Sequence, residues 1–132
     1  MIDPILKRRS IRKYTGAPID PGTITKILEA AMAAPSGHNS RPWHFVVVTE
    51  RETLNALAAM GRYWGMLADA PLAIVVCSDP GVSETYWDQD AVAATENALL
   101  AASMLGLGAV WLGCHPDSER MGPVRERLGI PA

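Results

Sequence analysis

The alternation of apolar and polar stretches predicts helices interleaved with short buried strands. Residues 43–49 (WHFVVVT) and 72–77 (LAIVVC) are apolar runs rich in β-branched side chains. Neither run alternates between apolar and polar residues, which is typical of strands covered on both faces of their sheet. Residues 109–112 (AVWL) predict a third strand.

Local start signals predict the first three helices. Asp3 and Asp20 each precede a proline, a pair that predicts an aspartate N-cap with proline at the first helical position. Thr49 and Glu52 match a capping box for a helix that runs to about Met60. Apolar residues fall on one face of the helix after Asp20: Ile24, Ile27, Leu28 and Ala31.

Two more helices are predicted in the second half of the chain. An Ala-rich helix over residues 88–105, capped by Asp88 and closed at Gly106, is apolar nearly all round. We expect such a helix to be buried on most faces, and a subunit interface could supply part of that burial. A last amphipathic helix begins at Asp117 or the following serine and ends at Gly129.

Helices and buried strands in this order predict a layered domain with helices on both faces of a sheet. With 132 residues, the chain is expected to form one domain, residues 1–132. Three strands make a thin sheet, whose edge a further element could extend.

Charge and composition argue against several classes of protein. A formal net charge of -2 gives no indication of a nucleic-acid partner. No apolar run approaches the ~18 residues of a membrane span, and the N-terminus lacks the apolar core of a signal peptide. The two cysteines and three histidines have no metal-ligand spacing, so no metal is expected. The cysteine usage fits a reducing compartment, and we expect a cytoplasmic protein.

Basic residues cluster near the start of the chain, in the segment Arg8-Arg9-Ser10-Ile11-Arg12. Arginine forks bind phosphate oxygens through paired hydrogen bonds, as the phosphate of a flavin mononucleotide (FMN) requires. A serine hydroxyl could serve a ribityl or ring oxygen, and a cation near the pyrimidine ring would stabilise the reduced flavin. A solvated basic surface explains the same residues.

Two glycine-containing segments are further candidates. In the loop Pro35-Ser36-Gly37-His38-Asn39, Gly37 permits close approach to a flat ring and Asn39 offers a donor and an acceptor. Residues 111–113 (WLG) end the third predicted strand, where ligands of open α/β sheets bind, and a glycine N–H there could donate to flavin N5. A connecting loop is the commoner fate of the first composition, and a helix C-cap glycine with a strand end explains the second segment adequately.

Together, the RRSIRKY opening, the APSGHNSRPWHF loop and the GLGAVWLG segment resemble the nitroreductase family in order and approximate spacing. The resemblance covers the chain from about Asp3 to Gly129. It implies an α+β fold, a three-layer α-β-α nitroreductase-like sandwich, in a homodimer that binds FMN noncovalently at its interface.

The resemblance also assigns the cofactor contacts. Arg8, Arg9, Ser10 and Arg12 would contact phosphate, ribityl and pyrimidine oxygens. The same flavin would be met by Pro35, Ser36 and Gly37 of the partner subunit, with Asn39 supporting that loop. The backbone N–H of Gly113 would point at N5, with Trp111 and Leu112 beside the ring, and no side chain acts as catalytic acid or base.

The implied activity is ping-pong hydride transfer from NAD(P)H, through FMN, to electron-poor small molecules such as nitroaromatics or quinones. Two alternatives are a structural subunit that binds flavin weakly or not at all, and a relative that consumes its flavin. Family chains usually continue with a further strand and a basic tail, whereas this sequence stops at residues 129–132. The resemblance therefore implies a truncated or minimal member, with weakened FMN affinity.

Overall fold

The computed structural model describes all 132 residues and combines helices with a small sheet. The helices are α1 (Asp3–Lys7), α2 (Pro21–Met32), α3 (Arg51–Met60), α4 (Trp87–Met104) and α5 (Ser118–Leu128). The strands are β1 (Trp43–Val48) and β2 (Ala73–Ser78), which pair with each other. Single turns of 3-10 helix lie at Gly37–Asn39 and Gly65–Ala68.

The chain forms two compact units, each assembled from separate segments. The first comprises residues 1–12, 19–47 and 74–111, and the second comprises residues 13–18, 48–73 and 112–132. The expectation of a single domain over residues 1–132 stays a prediction.

In the first unit, α1 and α2 each pack against α4. Small side chains lie at the centre of this packing: Ala31 of α2 and Ala94 of α4 are buried in one cluster with Ala34 and Trp43. The side-chain amide of Asn97 also donates to the carbonyl of Ala30 at 2.9 Å. Because alanines leave the two helices close together, the backbone of one is within reach of a side chain of the other.

The start of α2 confirms the prediction made for Asp20. Asp20 is the N-cap, and its Oδ1 accepts a hydrogen bond from the backbone N–H of Thr23 at 3.0 Å. Hydrogen bonds from the Thr23 hydroxyl and backbone, in that order, lower the pKa of Asp20 from its ordinary value of 3.8. On the predicted apolar face of α2, Ile27 and Ala31 are buried.

Three other predicted caps are wrong. The N-cap of α1 is Ile2, and Asp3 lies inside the first turn, where it pairs with Lys7 at 3.2 Å. α3 is preceded by Glu50 without any side-chain cap, so the capping box of Thr49 does not form. Likewise, Asp88 lies in the first turn of α4 instead of capping it. In each case the N-cap lies one or two residues away from the residue that the local pattern favours.

The third predicted strand is also wrong. Residues 109–112 contribute only an isolated parallel bridge between Ala109 and Ser10, closed by a bond from the Ile11 N–H to the Ala109 carbonyl at 2.9 Å. The sheet has two strands, and the Ala109 segment gains one paired residue where a strand needs a continuous ladder.

Burial of the strands and of α4 is weaker than predicted. Every residue of β2 is half-buried, and His44 inside β1 is exposed, so the strands are not covered on both faces. Only Asp90, Ala94 and Ala102 of α4 are fully buried. The apolar pattern therefore predicted β1, β2 and α4 correctly but overstated how much of each element one chain buries.

In the second unit, α3 packs against the Gly65–Ala68 turn and against α5. Its buried apolar residues are Leu54, Leu57, Trp64, Leu67, Ala70 and Val124. The predicted bounds of α5 are confirmed, since Asp117 caps it and Gly129 ends it in the left-handed conformation, with φ of 65°.

Candidate functional site

The loop between α2 and β1 has an unusual backbone. His38, Asn39 and Arg41 all have positive φ, at 54°, 57° and 52°, a region that side chains other than glycine's seldom adopt. Internal hydrogen bonds support this shape: Ser36 Oγ accepts from the Arg41 N–H at 3.0 Å, and Ser40 Oγ donates to the Gly37 carbonyl at 2.7 Å. The loop therefore has a defined conformation that its own side chains stabilise.

Gly37 joins this loop to the first turn of α4. Its backbone N–H donates to Oδ1 of Asp90 at 2.9 Å. Its Cα faces the side chain of Tyr86, and a Cβ placed there would overlap the tyrosine ring. The flat ring that Gly37 approaches within this chain is thus that of Tyr86, whose centroid lies 5.9 Å from that of the tilted His38 ring.

Asp90 is the most buried charged residue of this region. It is 5% exposed, and its second carboxylate oxygen, Oδ2, is buried without a hydrogen-bond partner. Its own N–H bonds to the carbonyl of Tyr86 inside the helix at 2.9 Å. The carboxylate therefore has a single protein donor, the Gly37 N–H, although buried carboxylates ordinarily accept several.

The three arginine side chains of the basic segment differ in the hydrogen bonds and ion pairs that they form within the chain. Arg8 Nε lies 3.7 Å from Oε1 of Glu96 on α4, a loose and partly exposed ion pair. Arg9 folds back, so that its Nη1 donates to the carbonyls of Leu6 at 2.8 Å and of Arg8 at 3.0 Å. Arg12 is exposed and has no ion pair, which leaves its guanidinium fully open to an anion.

The structure brings two of the predicted segments side by side. The bridge between Ser10 and Ala109 places the basic segment beside the residues that follow α4. Gly108 is required there, because an added Cβ would lie 2.6 Å from Cγ2 of Ile11. Trp111, two residues beyond the bridge, is 44% exposed.

The loop around Gly37 and the basic segment both contact α4, but on different sides. Asp90 and Glu96 are six residues apart, which corresponds to about 9 Å along the axis and about 120° around it. Within one chain, the loop and the basic segment therefore do not converge on one side of this helix.

Leu112 and Gly113 belong to the second unit. The Gly113 carbonyl accepts from Arg120 Nη1 at 2.9 Å, and no atom lies within 4 Å of a Cβ built at Gly113. Arg120 is itself fixed by Asp117 at 3.1 Å and by the ring of Trp64 at 5.9 Å. The chain thus holds the Gly113 peptide from its carbonyl side and leaves open space around its Cα.

Sequence reasoning missed Asp90 and Glu96, which contact Gly37 and Arg8. One signal was available: Asp90 and Glu96 are charged residues on a helix that is otherwise rich in alanine. Such residues require a partner when they are buried, but the sequence does not show that the partner of Asp90 lies 53 residues earlier.

No helix has the length and apolarity needed to cross a membrane. No group of three or more His, Cys, Asp or Glu side chains is placed to bind a metal ion.

Comparison with known proteins identifies the fold. A crystal structure from Parabacteroides distasonis, of a protein with a proposed NADH dehydrogenase/NAD(P)H nitroreductase activity, superposes with a TM-score of 0.97 at 42% identity, over 98% of this chain and 77% of that one. An FMN-dependent nitroreductase from Clostridium difficile gives 0.93 at 35% identity, over 100% and 80% of the two chains. These structures confirm the predicted α+β, nitroreductase-like fold.

Sequence similarity is equally extensive. A protein from Archaeoglobus fulgidus, also named for a proposed NADH dehydrogenase/NAD(P)H nitroreductase activity, is 52% identical over 130 residues, or 96% of this chain and 75% of that protein. The model of the Nitroreductase family matches residues 5–61 and 58–132. The chain belongs to the nitroreductase family and is an oxidoreductase.

Proposed function

We propose that this chain binds FMN and transfers hydride from NAD(P)H to electron-poor small molecules such as nitroaromatics or quinones. The observation that carries the proposal is the exposed side chain of Arg12, which has no ion pair and lies two residues after the Ser10–Ala109 bridge. The named activities of the similar proteins support it, since one is FMN-dependent and two refer to NAD(P)H.

The basic segment fits a dianionic phosphate. Arg12 has no ion pair to give up, and the 3.7 Å pair between Arg8 and Glu96 is long enough to be exchanged for a phosphate contact. Arg9 donates to backbone carbonyls through Nη1 alone, which leaves its other N–H groups for an anion. In the proposed site, the Ser10 hydroxyl serves the ribityl chain.

The residues proposed for the isoalloxazine ring fit a flat, partly apolar group. Trp111 presents a large exposed aromatic surface, and Leu112 is half-buried. The Gly113 N–H makes no hydrogen bond within the chain and is proposed to donate to N5. When bound, FMN supplies the hydride-accepting ring, which NAD(P)H and the acceptor use in turn in a ping-pong order.

The proposal includes a second copy of the chain. Asp90 and Glu96 face different sides of α4, so Pro35, Ser36 and Gly37, with Asn39 supporting them, are proposed to contact the flavin bound mainly by the other subunit. The residues that a homodimer would cover are available: no residue of α1 is buried, and Ile5 and Leu6 are 61% and 62% exposed. Exposed apolar surface of this kind marks interaction sites.

We place the enzyme in the cytoplasm, where NAD(P)H is available and thiols remain reduced; neither Cys77 nor Cys114 forms a disulfide. The remaining alternatives are a subunit that binds FMN weakly without turnover and a relative that consumes FMN. They differ from the proposal in what happens to the flavin.

The visible absorbance spectrum of the purified protein tests the proposal, together with a denatured aliquot to identify and count the flavin. We expect FMN at about one per subunit, bleached by NAD(P)H under anaerobic conditions and restored by a quinone. Protein that stays colourless with added FMN supports the structural subunit and contradicts the proposal. Loss of FMN itself in air, without another acceptor, supports the flavin-consuming alternative.

A further inference from the structure

Asp90 is the residue whose burial is least explained by the stability of the fold. Its carboxylate is buried, accepts one hydrogen bond, and leaves Oδ2 without a partner. It does not cap α4, since no side chain caps that helix and the Asp90 N–H is bonded within it. Its position in the first helical turn favours a negative charge, but an exposed aspartate would gain the same benefit without the desolvation.

The backbone that Asp90 holds is strained. Three residues of the loop have positive φ, and none of them is glycine. The hydrogen bonds of Ser36 and Ser40 within the loop stabilise its conformation, but they do not fix its position relative to α4. Two contacts fix Gly37 on α4, namely the hydrogen bond to Asp90 and the packing against Tyr86, one helical turn apart on the same face.

The far end of the loop is held separately. The N–H of Asp79, just after β2, donates to the Pro42 carbonyl at 2.9 Å, and Ser78 Oγ donates to the Trp87 carbonyl at 2.6 Å. These bonds tie β2 to the end of the loop and to the start of α4. Asp90 is therefore the only side chain that hydrogen-bonds the Pro35–Asn39 segment from outside the loop.

We propose that Asp90 is a positioning residue, which fixes the strained Pro35–Asn39 segment on α4 in the conformation that contacts the flavin. This inference rests on the proposed function for its link to FMN. The charge is required because a carboxylate accepts from a backbone N–H more strongly than a neutral oxygen does, and this offsets the strain of the loop.

Asp90→Ala, Asp90→Asn and the control Asp88→Ala separate this role from general stability. Asp88 lies in the same helical turn, is exposed, and accepts only from the neighbouring Gln89 N–H, so its loss removes a charge without touching the loop. Asn at position 90 keeps an oxygen that can accept from Gly37 but buries an unpaired NH₂ group. If Asp90→Ala does not fold, Asp90→Ser replaces it, because its hydroxyl is too short to reach Gly37.

Two measurements are made on each folded variant: hydrogen exchange of the loop amides, and the Kd for FMN by fluorescence titration. We expect Asp90→Ala to raise exchange at Gly37–Asn39 by about tenfold or more and to weaken FMN binding by a similar factor. Asp90→Asn, which keeps an acceptor oxygen without the charge, should lower the Tm and restore only part of the loop protection and of the affinity. Asp88→Ala should change neither measurement.

Unchanged loop exchange in Asp90→Ala would overturn the positioning role. Faster exchange with an unchanged Kd for FMN would overturn its link to the cofactor. If the unmodified protein binds no FMN, the proposed function fails instead, and the exchange data alone decide whether Asp90 holds the loop.

Discussion

Gly37 lies against the side chain of Tyr86 so closely that no Cβ fits between them. The two residues are far apart in sequence, and their contact packs Gly37 of the loop against the start of α4. Glycine is needed here for space and not for its conformational freedom, because the residues with positive φ are the ones that follow it.

Gly37→Ala is expected to destabilise the fold by about 1–3 kcal/mol, the usual cost of forcing a methyl group into packed surroundings. Tyr86→Ala removes the ring atoms that the new methyl group would meet and leaves only the Tyr86 Cβ close by. The double variant should therefore lose less stability than the sum of the two single variants. Urea unfolding of all four proteins measures this coupling, and strict additivity would contradict the packing explanation.

Arg12→Ala is expected to weaken FMN binding by about 10- to 100-fold, since hydrogen bonds to charged groups contribute about 1.5–3 kcal/mol. Lys13→Ala removes the same charge from the adjacent residue and should have a much smaller effect. Riboflavin, which lacks the phosphate, should bind equally well to the Arg12→Ala and unmodified proteins. An equal loss of affinity for both flavins would show that Arg12 does not contact the phosphate.

Arg120→Ala is expected to reduce stability by about 1–2 kcal/mol, because one guanidinium serves the Gly113 carbonyl, Asp117 and the ring of Trp64. Arg120→Lys should recover only part of this, since an ammonium group lacks the planar fork. Arg125→Ala on the exposed side of α5 is the control for loss of charge. Equal unfolding midpoints in urea for the two alanine variants would show that the three contacts contribute nothing.

The N-cap of α2 predicts a pH dependence. Hydrogen bonds from Thr23 lower the pKa of Asp20 below 3.8, so folding favours its charged form. The stabilisation is complete above that ordinary pKa and is lost as the pH falls through the lower pKa of the folded state. The difference in Tm between the unmodified protein and Asp20→Ala should therefore be constant near about pH 6 and shrink toward about pH 2. A difference that stays constant over this range would contradict the assignment.

Local signals determined much of the fold. The Asp20-Pro21 pair, the apolar runs of β1 and β2, and the Gly129 stop each act within a few residues, so the sequence alone specifies them. The motifs resembling nitroreductases also led to the correct family, because their order and spacing survive in the sequence itself.

Tertiary structure decided the remaining features. Residues 109–112 have the composition of a strand, yet they form a single bridge, because a strand needs a partner that only packing supplies. The contacts of Gly37 with Asp90 and Tyr86, and of Arg8 with Glu96, join residues roughly fifty or more positions apart, and no local pattern encodes such pairs. The sequence therefore predicted which segments form the candidate site. The packing of these segments against α4 determined which residues, such as Asp90 and Glu96, contact them.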